Sequence, residues 1–402
     1  FNGLFSLLVL FFCLRQTPSV YNQATRADQN VFEIQVSDQP KSVQLVLTRQ
    51  GVRTELPALW LRARSSCSSQ RDATTGQRLI NPHHLPDDLM LTDARWQDGQ
   101  LHLAFSDGFA GLFDPEELRA GADLSEGCPT TTPWRADAKP APVYRWADLQ
   151  SDAVLYRALV DFLQLGFLLV HDTPTQADSV LTIAHRFGFV RTTNFGSFFE
   201  VYSRPDSNDL AYRPVALGPH TDNPYRTPVP GIQLLHCLQN NTSGGLSTLV
   251  DSLAVIEQVR LLDPQGFELL CRVPVRFEYR DASTHLVAVK PMIEVDGSGA
   301  LCGVHYSPRL DDIALMSEAD TRSYHRARKH LGQLLESPAF ELRFKLEAGQ
   351  LMMFDNNRIL HGRTAFDPAE GHRQLQGCYI DRDGPRSLYR VLHQRAESQR
   401  AT

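Results

Sequence analysis

The sequence is poor in several signals that would assign a protein to a common class. Its seven Cys, at positions 13, 67, 128, 237, 271, 302 and 378, form no Cys-x-x-Cys pair. Such a scattered, odd set suits a reducing compartment better than a disulfide framework, so all seven are predicted to be free thiols. The 40 Lys and Arg against 46 Asp and Glu give a formal charge of −6. With no long basic block, a nucleic-acid partner is not expected.

No apolar run is long enough to span a bilayer. The longest, residues 4–14 (LFSLLVLFFCL), has the length of a signal-peptide core but lacks a basic segment before it. Three interpretations stay open: an extraneous extension, a truncated signal and a packing segment. A cytoplasmic location is expected.

Residue patterns divide the chain into four parts. Residues 1–30 are an N-terminal extension of uncertain role. Residues 31–120 hold short alternating apolar segments with Asp-Gly turns at 98–99 and 107–108, which predict a small β domain. Residues 121–145 are rich in Ala, Pro, Gly, Asp and Thr, a composition typical of a linker. The largest part, residues 146–395, is predicted to be the catalytic domain.

Within residues 146–395, helices are predicted from Ser151 or Asp152, from near Thr175, over 252–270 and over 317–337. Between them lie short segments that alternate or are apolar, such as GIQLLHCL, STLVD, RILHG and RQLQGCYID. This pattern predicts strands. The fold class is therefore mostly β with flanking helices, with the strands in a jelly-roll double sheet.

The strongest chemical signal is a His-x-Asp pair, His220 and Asp222, with a second His at 361. Two His and one carboxylate form the facial triad of non-haem iron(II) oxygenases, which leaves open positions on the metal. Residues i and i+2 of a strand point to one side, so His220 and Asp222 could bind one ion. The alternatives without a metal are that Asp222 caps a backbone donor in a turn and that His361 is a core histidine at a strand end.

Arg373 lies twelve residues beyond His361. A dianionic co-substrate such as 2-oxoglutarate needs its distal carboxylate held, and Arg offers a planar, two-pronged donor. An inward-facing Arg373 would share its strand face with Leu375; the alternative is an exposed Arg on an edge strand. Ser247, after Gly244-Gly245, could add a second hydrogen bond or serve only as a turn residue.

Seven segments now carry a family resemblance: 187–196 (FGFVRTTNFG), 208–212 (NDLAY), 218–226 (GPHTDNPYR), 231–238 (GIQLLHCL), 244–251 (GGLSTLVD), 354–363 (FDNNRILHGR) and 373–383 (RQLQGCYIDRD). They resemble the γ-butyrobetaine dioxygenase and trimethyllysine dioxygenase branch of the taurine dioxygenase-like (TauD/TfdA) superfamily. The match covers residues 145–395, and 56–64 (LPALWLRAR) resembles the start of that branch's small N-terminal domain.

The resemblance implies an iron(II)- and 2-oxoglutarate-dependent hydroxylase on a double-stranded β-helix, with ascorbate as a further candidate cofactor and a homodimeric state. His220, Asp222 and His361 would bind the metal, Arg373 and Ser247 the co-substrate, and Leu235 would line its pocket. The family's aromatic cage for a trimethylammonium group falls on Phe195, Phe199, Tyr212 and Tyr379. Such a cage attracts a quaternary ammonium through the ring quadrupoles.

The sequence also departs from this branch. The family's N-terminal zinc ligands fall here on Ser65, Cys67, Gln70 and a position near Phe109, and one thiolate cannot build a tetrahedral site, so no structural zinc is expected. Two cage positions are Phe, where the animal butyrobetaine enzymes would have Tyr and Trp.

The expected reaction is hydroxylation of γ-butyrobetaine to L-carnitine, with trimethyllysine or a trimethylammonium phosphonate next. A sulfonate is a further alternative if Arg226 or Arg309 points inward, and Asp209 beside Tyr212 would favour a cation if it faces the site. A non-catalytic jelly-roll module would not require the triad and Arg373 together.

Overall fold

The computed structural model describes residues 30–38, 41–49, 51–122, 127–137, 141–202 and 213–401. The apolar run at 4–14, Asp209 and the predicted cage residue Tyr212 lie outside these ranges. The chain divides between residues 125 and 126 into two compact units. No helix among the described residues is long and apolar enough to cross a membrane.

The first unit contains two three-stranded antiparallel sheets and two helices. The first sheet has the order β1 (Asn30–Asp38), β2 (Lys41–Arg49), β3 (Val52–Leu56), and the second has the order β4 (Leu91–Gln97), β5 (Gln100–Phe105), β6 (Ala110–Phe113). The helices are α1 (Ala58–Arg62) and α2 (Pro115–Ala122). Asp98 and Gly99 both have positive φ, the conformation of the tight turn that joins β4 to β5.

The second unit contains two large sheets. The six-stranded sheet has the order β7 (Val143–Arg145), β8 (Phe167–His171), β19 (Gln350–Asp355), β11 (Ile232–Asn240), β21 (Arg373–Ile380), β9 (Phe199–Tyr202). The four-stranded sheet has the order β10 (Leu217–His220), β20 (Ile359–Arg363), β12 (Ser247–Asp251), β18 (Glu341–Phe344). Five short strands form two smaller sheets: β13 (Val275–Arg280), β14 (His285–Lys290), β15 (Ile293–Val295), β16 (Leu301–Val304) and β17 (Asp311–Ile313).

Six α-helices in the described part of this unit flank the sheets: α3 (Asp152–Leu165), α4 (Ser179–His185), α5 (Ser252–Leu262), α6 (Pro264–Arg272), α7 (Glu318–Leu335) and α8 (Asp383–Ala401). The helical pattern predicted over 252–270 is two helices, because Pro264 has no N–H to continue the first and Asp263 caps the second by accepting a hydrogen bond from the Gly266 N–H. The predicted cap of the helix at 317 is present, since Ser317 Oγ accepts from the Asp320 N–H at 3.1 Å.

Side chains from the two large sheets share one buried cluster. Leu235 and Met352 enter it from the six-stranded sheet, and Leu249 and Ile359 enter it from the four-stranded sheet. The unit is thus mostly β with flanking helices, as predicted, and the two sheets face each other. The space between them at one end is where the candidate site lies.

The composition of residues 121–145 predicts a linker, but the described residues of this segment from 127 onward are packed as part of the second unit. Trp134 is buried, and its backbone N–H donates to Asp251 Oδ2 at 3.0 Å while its indole N–H donates to the Leu165 carbonyl at 2.8 Å. Residues 143–145 form the edge strand β7, parallel to β8. Composition missed this because the partners are distant side chains, chiefly the Asp251 carboxylate.

Candidate metal centre

Three potential metal ligands converge between the sheets. His220 ends β10 and is paired across the ladder with His361 of β20, so their rings lie with centroids 4.3 Å apart. With Asp222, their ligand atoms lie within 4.8 Å of one another. Among the described residues this is the only group of three or more His, Cys, Asp or Glu side chains close enough to hold a metal ion.

Asp222 does not share a strand with His220, contrary to the strand geometry predicted for the pair. β10 ends at His220, and Asn223 has a positive φ of 53°. The backbone of Asp222 is held instead by Asn356, whose side chain accepts from the Asp222 N–H at 2.7 Å and donates to the Asp222 carbonyl at 3.0 Å. The carboxylate therefore reaches the two imidazoles from a turn that a distant asparagine fixes.

Hydrogen bonds orient two of the three candidate ligands, His220 and Asp222. His220 Nδ1 lies 2.9 Å from the Gly218 carbonyl and donates to it, which leaves Nε2 directed at Asp222 Oδ1, 3.5 Å away. Tyr379 Oη donates to Asp222 Oδ2 at 2.7 Å. Burial raises the pKa of the Tyr379 hydroxyl well above its usual value, so this donor stays protonated.

The electrostatics favour one carboxylate and a neutral His361. Burial by itself would raise the pKa of the Asp222 carboxyl, but His361 and His220 outweigh it and hold that pKa well below its usual range. Burial, with the neighbouring His220, lowers the pKa of His361 to about 3. The donor set is the one that a divalent first-row metal with open coordination positions requires.

A pocket adjoins the triad and contains three of the residues predicted to bind a co-substrate, Leu235, Ser247 and Arg373. Arg373 opens β21 and is 7% exposed. Its Nε finds no hydrogen-bond partner, and no carboxylate pairs with it, among the described residues. Burial lowers the pKa of this guanidinium, which nevertheless remains a cation, since arginine is not deprotonated in proteins. A buried cation of this kind calls for an anionic ligand.

Sequence reasoning missed several residues that line the same pocket, among them Gln233, Met352 and Arg363. Arg363 lies two residues after His361 on β20, so strand periodicity could have placed both on one face. Its guanidinium donates to the Arg213 carbonyl. Gln233 lies two residues before Leu235 on β11, so the same periodicity could have placed it here, whereas Met352 enters only through the pairing of β11 and β19.

Aromatic rings form a continuous cluster beside the triad. The ring centroids of Phe199 and Tyr379 are 5.3 Å apart, those of Phe195 and Phe199 6.5 Å, and those of Phe195 and Tyr279 5.6 Å. The structure thus brings together the three predicted cage residues that it describes. Tyr279 and its stacked neighbour Tyr225 extend the cluster and were not predicted.

Neither of the two arginines proposed for a sulfonate lines the described pocket. Arg226 donates to Asn194 Oδ1, and its carbonyl accepts from Lys290 Nζ at 2.7 Å. Arg309 is exposed, although its charge contributes to the lowered pKa of His361.

In the first unit, Arg62 contacts two of the positions where the resemblance placed zinc ligands, Gln70 and Phe109. Its guanidinium donates to Gln70 Oε1 at 2.9 Å and to Asp107 Oδ2 at 2.8 Å, and it lies 3.9 Å from the centroid of the Phe109 ring. No disulfide joins the six cysteines among the described residues, and Cys13 lies outside them.

Comparison with known proteins identifies the family of the chain. The chain is 35% identical to the gamma-butyrobetaine dioxygenase of Pseudomonas sp. (strain AK-1), over 83% of this chain and 89% of the relative. It is 30% identical to the dioxygenase str8 of Strobilurus tenacellus, over 81% and 82%, and to the mitochondrial trimethyllysine dioxygenase of Gallus gallus, over 83% and 82%. The family model described as taurine catabolism dioxygenase TauD, TfdA family matches residues 128–379. The chain therefore belongs to the TauD, TfdA family of dioxygenases.

Proposed function

We propose that this protein is an iron(II)- and 2-oxoglutarate-dependent hydroxylase of a trimethylammonium substrate, with γ-butyrobetaine converted to L-carnitine as the first choice. The observation that carries the proposal is the juxtaposition of a His-Asp-His triad, a buried Arg373 that pairs with no carboxylate in the part of the chain that the structure describes, and an aromatic cluster. The names of the relatives from Pseudomonas and Gallus support a trimethylammonium substrate.

His220 Nε2, Asp222 Oδ1 and His361 Nε2 would hold the metal. Iron(II) bound there supplies the redox chemistry that couples oxidative decarboxylation of 2-oxoglutarate to hydroxylation of an unactivated carbon. The protein's part is to keep Asp222 ionised and oriented. Tyr379 donates a hydrogen bond to the Asp222 carboxylate, and the Asn356 side chain holds the Asp222 backbone.

The co-substrate would enter the pocket between the sheets with its distal carboxylate on Arg373. Ser247 is buried in the same pocket, on the facing sheet, where its hydroxyl could donate a second hydrogen bond. Leu235 and Met352 contribute apolar lining that would exclude water from the carbon chain of the co-substrate. Water exclusion strengthens the interaction of Arg373 with a carboxylate, because the local dielectric constant is low.

The substrate's quaternary ammonium would lie against Phe195, Phe199 and Tyr379, with Tyr212 as a further proposed cage residue. Each well-placed ring face contributes roughly 0.5 to 2 kcal/mol, and no hydrogen bond is needed. A second candidate substrate is another trimethylammonium compound such as trimethyllysine, because the cage recognises the group that these substrates share and the relative from Gallus gallus is a trimethyllysine dioxygenase.

The test is a turnover assay with iron(II)-loaded protein that follows succinate and hydroxylated product together. Succinate and carnitine formed in a 1:1 ratio from γ-butyrobetaine would support the proposal, and His361→Ala should abolish both. Trimethyllysine and taurine are run in parallel. If succinate formation is coupled to hydroxylation of trimethyllysine alone, trimethyllysine replaces γ-butyrobetaine as the assigned substrate. If it is coupled to hydroxylation of taurine, the trimethylammonium assignment is wrong. Full turnover by His361→Ala would show that the metal site is wrong.

Three further expectations belong to the proposal. The first unit should bind no structural zinc, so metal analysis that finds stoichiometric zinc removable by Cys67→Ser would contradict it. A homodimer is expected, and sedimentation equilibrium measures it. Ascorbate is expected to sustain turnover by keeping the iron reduced.

A further inference from the structure

Arg373 is buried, yet no carboxylate among the described residues pairs with it. Its neighbours include an aromatic ring and a glycine turn. Arg373 Cζ lies 5.5 Å from the centroid of the Phe366 ring, within the distance for a cation–π interaction. At Gly245 an added Cβ would lie 2.9 Å from Arg373 Nε and 3.1 Å from Cδ. The side chain thus lies between a ring and a backbone that has room only for glycine.

The Phe366 ring lies close to two arginines of the pocket. Arg363, which lines the same pocket, also has its Cζ 5.3 Å from the Phe366 centroid. Phe366 is itself 9% exposed and is fixed through its backbone, because its N–H donates to the Pro214 carbonyl at 3.2 Å. One rigid ring therefore contacts both arginines of the pocket.

The same ring is one of the groups that cover Arg373. Phe366 and Arg373 both line an open cleft together with Tyr202 and His372, and Arg373 also lines the pocket beside the triad. Arg373 is only 7% exposed although it lines this cleft, and the Phe366 ring lies 5.5 Å from its Cζ. Since the attraction between Arg373 and a carboxylate grows as water is excluded, the ring affects the strength of the interaction as well as its geometry.

We propose that Phe366 is a positioning residue for the co-substrate, which holds the Arg373 guanidinium by a cation–π contact in the orientation that receives the distal carboxylate. This inference rests on the proposed function, because it takes 2-oxoglutarate as the anion. Gly245 contributes by allowing the backbone to approach the Arg373 side chain closely. Neither residue needs to touch the co-substrate.

The test measures 2-oxoglutarate binding by calorimetry on protein loaded with zinc(II), which has no redox chemistry. Phe366→Leu keeps an apolar side chain and removes the π face, whereas Phe366→Tyr keeps the face. We expect Phe366→Leu to raise the Kd by about 5- to 20-fold and Phe366→Tyr to leave it within about twofold. Zinc affinity should be unchanged in both variants.

A double-variant comparison separates positioning from a general structural effect. In an Arg373→Ala background, Phe366→Leu should change the Kd by less than about twofold, because the group through which it acts is gone. The same fold-change in both backgrounds would overturn the inference, and so would wild-type affinity in Phe366→Leu alone.

The outcomes also distinguish this inference from the proposed function. Arg373→Ala should weaken 2-oxoglutarate binding by about 100-fold or more, as expected for loss of a charge-assisted, two-pronged contact. If Arg373→Ala binds 2-oxoglutarate as tightly as the wild type, the co-substrate site itself is wrong. If Arg373→Ala loses affinity and Phe366→Leu does not, only the positioning role fails.

Discussion

Replacing Gly377 with alanine should disturb the aromatic cluster directly. Gly377 lies in β21, where its ladder partners are Leu235 of β11 and Phe199 of β9. A Cβ at this position would lie 2.3 Å from Phe199 Cζ and 2.4 Å from Cε2. The ring must therefore retreat by more than 1 Å to reach an ordinary contact distance of 3.4 Å.

The magnitude follows from the packing around Phe199. The ring already contacts Tyr379 and Phe195, and Leu235 Cδ2 lies only 2.9 Å from the added Cβ, so Phe199 and Leu235 must both shift, and the ring would move at the expense of the pocket that it lines. Overpacking of this kind costs about 1 to 3 kcal/mol of unfolding free energy. Loss of one cation–π face, about 1 kcal/mol, corresponds to roughly a fivefold higher KM for the trimethylammonium substrate.

Chemical denaturation and substrate kinetics measure the two effects. Gly303→Ala is the matched control, because Gly303 also lies in a strand but its added Cβ would have no neighbour closer than 3.4 Å. A Phe199→Ala background removes the clash, so Gly377→Ala should cost much less there. If Gly377→Ala costs no more than Gly303→Ala, or costs the same with and without Phe199, the reasoning is wrong.

Three further predictions concern the metal centre, the core and pH. Tyr379→Phe should lower metal affinity about 10- to 100-fold in a metal titration, because it removes the donor to Asp222 Oδ2. The control Tyr324→Phe should leave metal affinity unchanged, since that hydroxyl has no hydrogen-bond partner among the described residues. Arg358→Met should cost about 3 to 5 kcal/mol in urea unfolding, because it leaves the buried Asp251 carboxylate unpaired, whereas Arg326→Met at an exposed ion pair should cost less than about 1 kcal/mol. His236 is fully buried, and burial lowers its pKa to about 4 from 6.5. Its neutral form is favoured in the folded state, so stability is complete above pH 6.5 and should fall by about 3 kcal/mol as the pH drops to 4; a pH series of unfolding free energies that shows the same slope for wild type and His236→Gln would contradict this.

The sequence alone determined the residue types and much of the local structure of the site. His220, Asp222, His361 and Arg373 could be picked out because metal and anion chemistry restrict the usable side chains to a few, and their spacing relative to predicted strands was readable. The mostly β class followed from alternating apolar segments, a pattern that depends only on neighbours in the chain.

Tertiary structure decided everything that depends on residues far apart in the chain. Asp222 meets the histidines from a turn because Asn356, 134 residues later, clamps its backbone. Residues 127–137 pack as part of the second unit because the buried Asp251 accepts the Trp134 N–H, 117 residues away. Contacts at such separations leave no periodic trace in the sequence.

The cluster around Arg373 shows the same limit at the site itself. The sequence identified a candidate anion-binding arginine, but no local pattern connects it to Phe366, Arg363 or Gly245. They meet only because the two sheets face each other, which leaves a guanidinium between a ring and a glycine backbone. Local chemistry selected the reactive groups, and the packing of distant strands selected the neighbours that orient them.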